Sequence, residues 1–263
     1  MASLVSDPTV TARAPQSAGP IAAISARGIR KSYSTGDGEV EILHGVNIDV
    51  DYGQMVAVMG PSGSGKSTLL YCLAGLETPT QGGVIIAGRP LGRMSRADLA
   101  VMRRTQVGFV FQSYNLIPTL TAAENVVLPY TLGKRKPEPG LVDSVLASVG
   151  LSERKDARPP SMSGGEQQRV ALARVLTQQP QVIFADEPTG ALDTRTGRMV
   201  LAELARIAHS PNRCVLVVTH DPAVAAACDR VLFMRDGLLV TELRPTSVDQ
   251  VAATLASLGR KEG

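Results

Sequence analysis

The chain has no tryptophan, four phenylalanines, five tyrosines, three cysteines and almost no excess of charge. Each scarcity closes a class of function. So few rings exclude a stacking platform for single-stranded nucleic acid and leave the core to aliphatic residues. Lysine plus arginine number 27 against 24 acidic residues, a net charge of +3 over 263 residues. That argues against binding nucleic acid by mass neutralisation of phosphates. Cys72, Cys214 and Cys228 are odd in number and far apart. They suit neither a disulfide framework nor a metal cluster and read as small buried hydrophobes in a reducing compartment. The N-terminus lacks the charged start and apolar stretch of a signal peptide, and no apolar run approaches the ~18–20 residues of a membrane span. The expected setting is the cytoplasm.

What the chain does contain is aliphatic pattern punctuated by glycine. Its 44% hydrophobic and 19% charged residues are ordinary for a globular protein, and a chain this long buries roughly 70–75% of its unfolded surface without disulfides. Residues 1–23 are small, proline-punctuated and aperiodic, which predicts a flexible tail. Short β-type runs at 24–33, 42–50 and 84–87, with glycine-bearing turns between them, predict an antiparallel region. The run 55–59 is apolar throughout, the pattern of a strand buried on both faces of a parallel sheet. Beyond residue 90 the pattern predicts helices at 95–105, 121–132, 141–149, 166–178, 196–208 and 247–258. Strands are expected at 107–111, 182–185 and 214–218, with a hairpin from 231–234 and 238–241. Such alternation predicts an α/β fold with a mostly parallel core sheet.

Gly60-Pro61-Ser62-Gly63-Ser64-Gly65-Lys66-Ser67-Thr68 fits G-x-x-x-x-G-K-[ST], between a buried strand and a helical run. Glycines there let backbone N–H groups converge on phosphates, and the helix start adds its dipole. Lys66 would reach the β- and γ-phosphates, and Ser67 would hold Mg²⁺. A second buried run, 182–185, ends in Asp186 and Glu187. Two carboxylates closing an apolar strand are hard to explain as a solvated face. Asp186 would hold the metal through water, while Glu187 would polarise an attacking water. These residues specify a P-loop NTPase.

Ser163-Gly164-Gly165-Glu166-Gln167-Gln168-Arg169 lies 23 residues before Asp186 and resembles the signature motif of ATP-binding-cassette (ABC) ATPases. Further motifs of that family follow in order. Gln112 resembles the Q-loop glutamine, Ala191-Leu192-Asp193 the D-loop, and His220 the switch histidine. Tyr33 sits where the family stacks a ring on adenine. The resemblance implies a cassette over residues 24–245, with a β-rich edge, a helical subdomain at about 113–165, and a C-terminal helix and tail at 246–263. It implies catalytic roles for Glu187, His220 and Gln112, metal contacts from Ser67, Asp186 and Gln112, and nucleotide contacts from Tyr33, loop 60–68, Ser163, Gly164, Gly165 and Asp193. Two departures stand out: Glu166 replaces the commoner Gln, and Ala185 replaces a larger aliphatic. Ser163 and Glu166 also form the S-x-x-E pattern of a helix cap. His44, His209 and the cysteines read as structural.

The segment 108–126 resembles the ATPase subunits of bacterial lipoprotein-release, macrolide-efflux and peptide-antibiotic-resistance systems. That implies ATP and Mg²⁺ as ligands and a homodimer that sandwiches two nucleotides. It also implies a transmembrane permease contacting residues 112–129, and a place on the inner face of the cell membrane. The alternative is an ATPase of a non-transport membrane complex, as in a cell-division relative. An ABC-type ATPase acting on DNA or ribosomes fits less well. The chain carries one cassette, has no sustained heptads between the glycine loop and the signature, and has little net charge, so no nucleic-acid partner is expected.

Overall fold

The computed structural model describes residues 22–36, 38–190 and 192–259. Two long strands open the fold, β1 (Ala22–Thr35) and β2 (Gly38–Asp51), paired antiparallel with several register shifts. β3 (Met55–Met59) leaves them for a different sheet, and the glycine loop after it leads into α1 (Lys66–Leu73). The chain then returns through β4 (Gln81–Ile86), antiparallel to β1, and the two-residue β5 (Arg89–Pro90). These four strands form one sheet in the order β2-β1-β4-β5.

The second half alternates as the pattern predicts. α2 (Arg96–Thr105) and β6 (Val107–Val110) lead into α3 (Ala122–Leu132) and α4 (Leu141–Ser148). Then come α5 (Gly164–Gln178), β7 (Val182–Asp186), α6 (Thr194–Ala208) and β8 (Cys214–Val218). The chain ends with α7 (Pro222–Ala226), the hairpin β9 (Arg230–Arg235) and β10 (Leu238–Leu243), and α8 (Val248–Gly259). The six-stranded sheet runs β10-β9-β3-β8-β7-β6 and is parallel except for β10.

β3, β7 and β8 are buried at every position, because the sheet is covered on both faces. Met55, Ala57 and Met59 point with Ile183, Ala185, Val215 and Val217 into a layer built from α3 to α8. Val56 and Val58 point with Phe184 and Leu216 to the other side, against α1, Met102 of α2 and the antiparallel sheet. Fully apolar strands therefore follow from two-sided burial. All three cysteines are buried and free. Burial pushes the Cys72 thiol up to about 11 and those of Cys214 and Cys228 to about 12, so they act as packing groups.

Three helices start with reciprocal caps: Ser95 with Asp98, Thr121 with Glu124, and Ser163 with Glu166. Helices expected from residues 166 and 196 begin two residues earlier, because Ser163 and Asp193 are their caps. α7 was not expected from the pattern. It is too short for periodicity, yet Asp221 caps it and Pro222 occupies its first position. Among the described residues, no helix is long and apolar enough to cross a membrane. The tail expected at 1–23 falls, up to residue 21, outside the described residues, as does Ala191.

Candidate functional site

The site forms where β3, β7 and β8 end together at one edge of the parallel sheet. β3 delivers loop 60–68 to the start of α1. At Gly60 a Cβ would stand 2.1 Å from the Met234 carbonyl oxygen of β9, so only glycine lets the loop cross so close to that strand. Gly65 precedes α1 with φ 94°, a left-handed turn that β-carbons resist. The Lys66 ammonium donates to the Gly60 carbonyl at 2.9 Å and the Pro61 carbonyl at 2.8 Å. Burial holds its pKa below the usual lysine range, against the attraction of Glu187 and Asp186.

Ser64 is buried, and its hydroxyl has no hydrogen-bond partner among the described residues. An orphan hydroxyl inside a glycine loop, beside a cation bonded only to loop carbonyls, suits a multiply charged anion. Ser62 and Gly63 lie at the open surface of the same loop.

Two side chains of α1, four residues apart on one helix face, meet Asp186 at the end of β7. Ser67 Oγ donates to Oδ1 at 3.4 Å and Tyr71 Oη to Oδ2 at 3.1 Å. Asp186 is only 8% exposed. Burial pushes its carboxyl above the usual aspartate range, assisted by the charge of Glu187 and opposed by both hydroxyls and Lys66. A hydroxyl and a carboxylate facing each other are hard oxygen donors of the kind a small divalent cation takes.

Glu187 follows with φ 46°, a left-handed conformation costly for glutamate. Its carboxylate is clamped on both oxygens. Oε1 accepts from the His220 N–H at 3.0 Å and lies 2.7 Å from His220 Nδ1, while Oε2 accepts from Thr219 Oγ1 at 3.1 Å. The His220 ring is largely exposed and the Glu187 side chain mostly covered. The strained backbone thus holds a carboxyl group at the mouth of the loop with an imidazole as its neighbour.

Gln112 follows β6, and its Nε2 lies 3.9 Å from where a Cβ of Gly190 would be. The turn beyond it places Tyr114 and Asn115 at positive φ. Arg174 of α5 donates to both of their carbonyls, at 3.2 and 2.9 Å. Tyr33 on β1 stands beside Thr68. Its phenol donates to Glu77 at 2.5 Å, and the Lys31 ammonium lies 4.8 Å over its ring. Burial, then the Glu77 contact, pushes the phenol up to about 12.

Ser163, Gly164 and Gly165 start α5. There Gly165 neighbours Arg169 and Thr196, not loop 60–68. Asp193 is occupied as the cap of α6, accepting from the Arg195 and Thr196 N–H groups and from the Thr196 hydroxyl. The chain thus brings together Lys66, Ser67, Asp186, Glu187 and His220, and leaves the Ser163 segment to a different surface. Sequence reasoning missed Tyr71, Thr219, Glu77 and Lys31. Tyr71 was findable from its spacing to Ser67; the others depend on tertiary pairing.

A family profile described as ABC transporter matches residues 43–190. A solved dimeric post-hydrolysis state of the ATP-binding cassette MJ0796, bound to ADP and Pi, is 37% identical. It superimposes over 85% of this chain and 99% of its own with a TM-score of 0.79. A second dimeric structure of MJ0796, described as a bacterial ABC transporter cassette, is 38% identical with the same coverage and a TM-score of 0.78. cbiO1 from Clostridium perfringens, described as part of the ABC transporter complex cbiONQ, is 26% identical. It covers 90% of this chain and 94% of its own at a TM-score of 0.74. With the profile spanning more than half of the chain and the MJ0796 cassette matching almost end to end, this protein belongs to the ABC transporter family as an ATPase cassette.

Proposed function

We propose that the chain is the ATP-hydrolysing subunit of a membrane transporter of the extrusion type, working as a homodimer on the cytoplasmic face of its permease. In this reading residues 24–245 are the cassette, about 113–165 its helical subdomain, and 246–263 a C-terminal helix and tail. The observation that carries the hydrolytic part is the doubly clamped, backbone-strained Glu187 next to Asp186, at the mouth of a glycine loop with an unpartnered hydroxyl.

The triphosphate of ATP lies along loop 60–68, where Lys66 exchanges its two carbonyl contacts for β- and γ-phosphate oxygens. Ser67, Asp186 and Gln112 are the residues that would hold Mg²⁺, which when bound neutralises charge building on those oxygens. Tyr33 carries the adenine on its ring. Glu187 orients and polarises a water. As the water oxygen bonds to the γ-phosphorus, the bond to the bridging oxygen breaks and its electron pair leaves with ADP. His220, hydrogen-bonded to Glu187, holds that carboxylate in place and reports the γ-phosphate. The work is positioning and electrostatics.

Each chain carries two halves of two different sites: its own loop 60–68, and Ser163-Gly164-Gly165 with Asp193 for the nucleotide of a second copy. That the similar MJ0796 cassettes are dimeric supports the pairing of two copies. The permease contact is placed at 112–129 and the adjoining groove, about 240 Å³ and lined by Phe109, Phe111, Leu128, Pro129 and Leu132. The Phe109 and Phe111 rings stack there at 5.3 Å, and an open apolar groove of this kind calls for a partner.

ATP turnover by the purified chain tests the catalytic half. Lys66→Ala and Glu187→Gln are each expected to lower it at least about a hundredfold, and near-parental turnover by either overturns the roles assigned. The coupling half is tested by a cross-linker placed at Leu132→Cys in native membranes. It is expected to capture a multi-span membrane protein, and capture of soluble proteins alone overturns it.

A further inference from the structure

Glu166 puts a charged side chain where the commoner family residue is the neutral Gln. A carboxylate stands in the first turn of α5, where the half-site reading above brings a nucleotide of the second copy. That carboxylate is paired. Arg154 Nε donates to Oε1 at 2.8 Å and Arg154 Nη2 to Oε2 at 3.4 Å, while the same Nη2 donates to the Ser161 carbonyl at 3.2 Å. The pair is partly shielded, with Glu166 20% and Arg154 42% exposed at the side chain.

We propose that Arg154 is a positioning residue of the second-copy half-site: its guanidinium neutralises Glu166 and holds that carboxylate back on the Ser163 N–H, so that the start of α5 presents donors and not negative charge to an incoming phosphate. The proposal rests on the reading of Ser163-Gly164-Gly165 as that half-site.

Three features of the geometry fit. Glu166 Oε2 accepts from the Ser163 N–H at 2.8 Å, and Ser163 Oγ accepts from the Glu166 N–H at 3.2 Å. The Ser163 hydroxyl oxygen is therefore engaged as an acceptor, and its proton has no acceptor among the described residues. The N–H groups of Gly164 and Gly165, first in the helix, have no intrahelical acceptor by construction. Removing Arg154 would restore a full negative charge within one helical turn of those donors, against the dipole that otherwise favours an anion. Arg154 also supports the carboxylate form, which lies below the usual glutamate range chiefly through the Arg154 hydrogen bonds.

The test is a double-mutant cycle on ATP-driven dimerisation, in the full chain carrying Glu187→Gln to slow hydrolysis. Dimer dissociation constants are measured by analytical ultracentrifugation with ATP and Mg²⁺ for Arg154→Met, Glu166→Gln and the pair together. An unneutralised carboxylate is expected to weaken each half-site roughly tenfold, and the symmetric pair about a hundredfold. In the Glu166→Gln background, where the amide oxygen still accepts from Ser163 but carries no charge, Arg154→Met is expected to cost less than about threefold. Affinity of the single chain for a fluorescent nucleotide is expected to stay within about twofold, because loop 60–68 lies elsewhere. Equal losses in both backgrounds, or no loss with Glu166 present, overturn the proposal. If Arg154→Met does not fold, Arg154→Lys decides. It keeps the charge and loses the fork, and is expected to cost less than about tenfold with Glu166 present; a full hundredfold loss overturns charge neutralisation. Failure of the Glu187→Gln parent to dimerise with ATP overturns the half-site reading itself, and is distinct from failure of the cycle.

Discussion

Removing one hydroxyl from α1, by Tyr71→Phe, separates support of the metal site from support of the fold. Tyr71 Oη donates to Asp186 Oδ2 at 3.1 Å, and Ser67 donates to the other oxygen at 3.4 Å. The change leaves the ring, its packing and loop 60–68 in place. A hydrogen bond to a charged group is worth about 1.5–3 kcal/mol. Tyr71 is half-buried and water can partly replace it, so the lower end applies. About 1.4 kcal/mol of lost orientation is a tenfold change in an equilibrium. The half-saturating Mg²⁺ concentration for nucleotide binding is therefore expected to rise about tenfold, with nucleotide affinity in the absence of Mg²⁺ nearly unchanged. A fluorescent-nucleotide titration with and without Mg²⁺ reads both, and Mn²⁺ paramagnetic resonance reads the cation directly. An unchanged Mg²⁺ requirement, or an equal loss without metal, would refute the assignment of Tyr71 to Asp186.

Three further outcomes follow from the same geometry. Gly60→Ala drives a methyl to 2.1 Å from the Met234 carbonyl and is expected to cost about 3 kcal/mol, lowering Tm by roughly 6–12 °C in a thermal melt; an unshifted melt contradicts the close approach. Glu77→Ala frees the Tyr33 phenol and leaves the Lys31 ammonium on the Thr78 carbonyl, and is expected to raise KM for ATP about fivefold. Inorganic tripolyphosphate, which has no base, is expected to bind as before, so a parallel loss with it refutes the platform reading. Acid lability follows from carboxylates held below their ordinary values: Glu77 by Tyr33, Glu166 by Arg154, Glu242 by Arg230 and Asp49 by Arg27. A depressed carboxylate stabilises the fold above its unfolded value and loses that contribution as pH falls through the folded one. Tm is expected to hold from pH 7 to about 4.5 and fall below it, modestly because these groups are partly exposed; a Tm that rises on acidification contradicts the sign.

The parts legible in the sequence are those whose chemistry is local. Loop 60–68 declares itself because a phosphate cradle needs glycine, lysine and serine at fixed spacing. Met55–Met59, Val182–Asp186 and Cys214–Val218 declare themselves because burial on two faces removes all alternation. The caps of α2 and α5 are likewise written within four residues. What depends on remote pairing was not legible. The hairpin of β9 and β10 was expected, but that β9 runs parallel beside β3 and crowds Gly60 is a tertiary fact. The clamp on Glu187 draws on Thr219 and His220, more than 30 residues away in sequence. Arg154 and Glu166 sit on either side of a turn that no periodicity encodes. The strain at Glu187 and at Tyr114 is equally invisible, because neither residue favours positive φ.

Whether one chain holds only half of each working site is read from the light-scattering mass of the Glu187→Gln chain. With ATP and Mg²⁺ the expected mass is that of two chains, returning to one chain when Ser163→Arg is added. A single-chain mass at saturating ATP, or a dimer indifferent to Ser163→Arg, would contradict it.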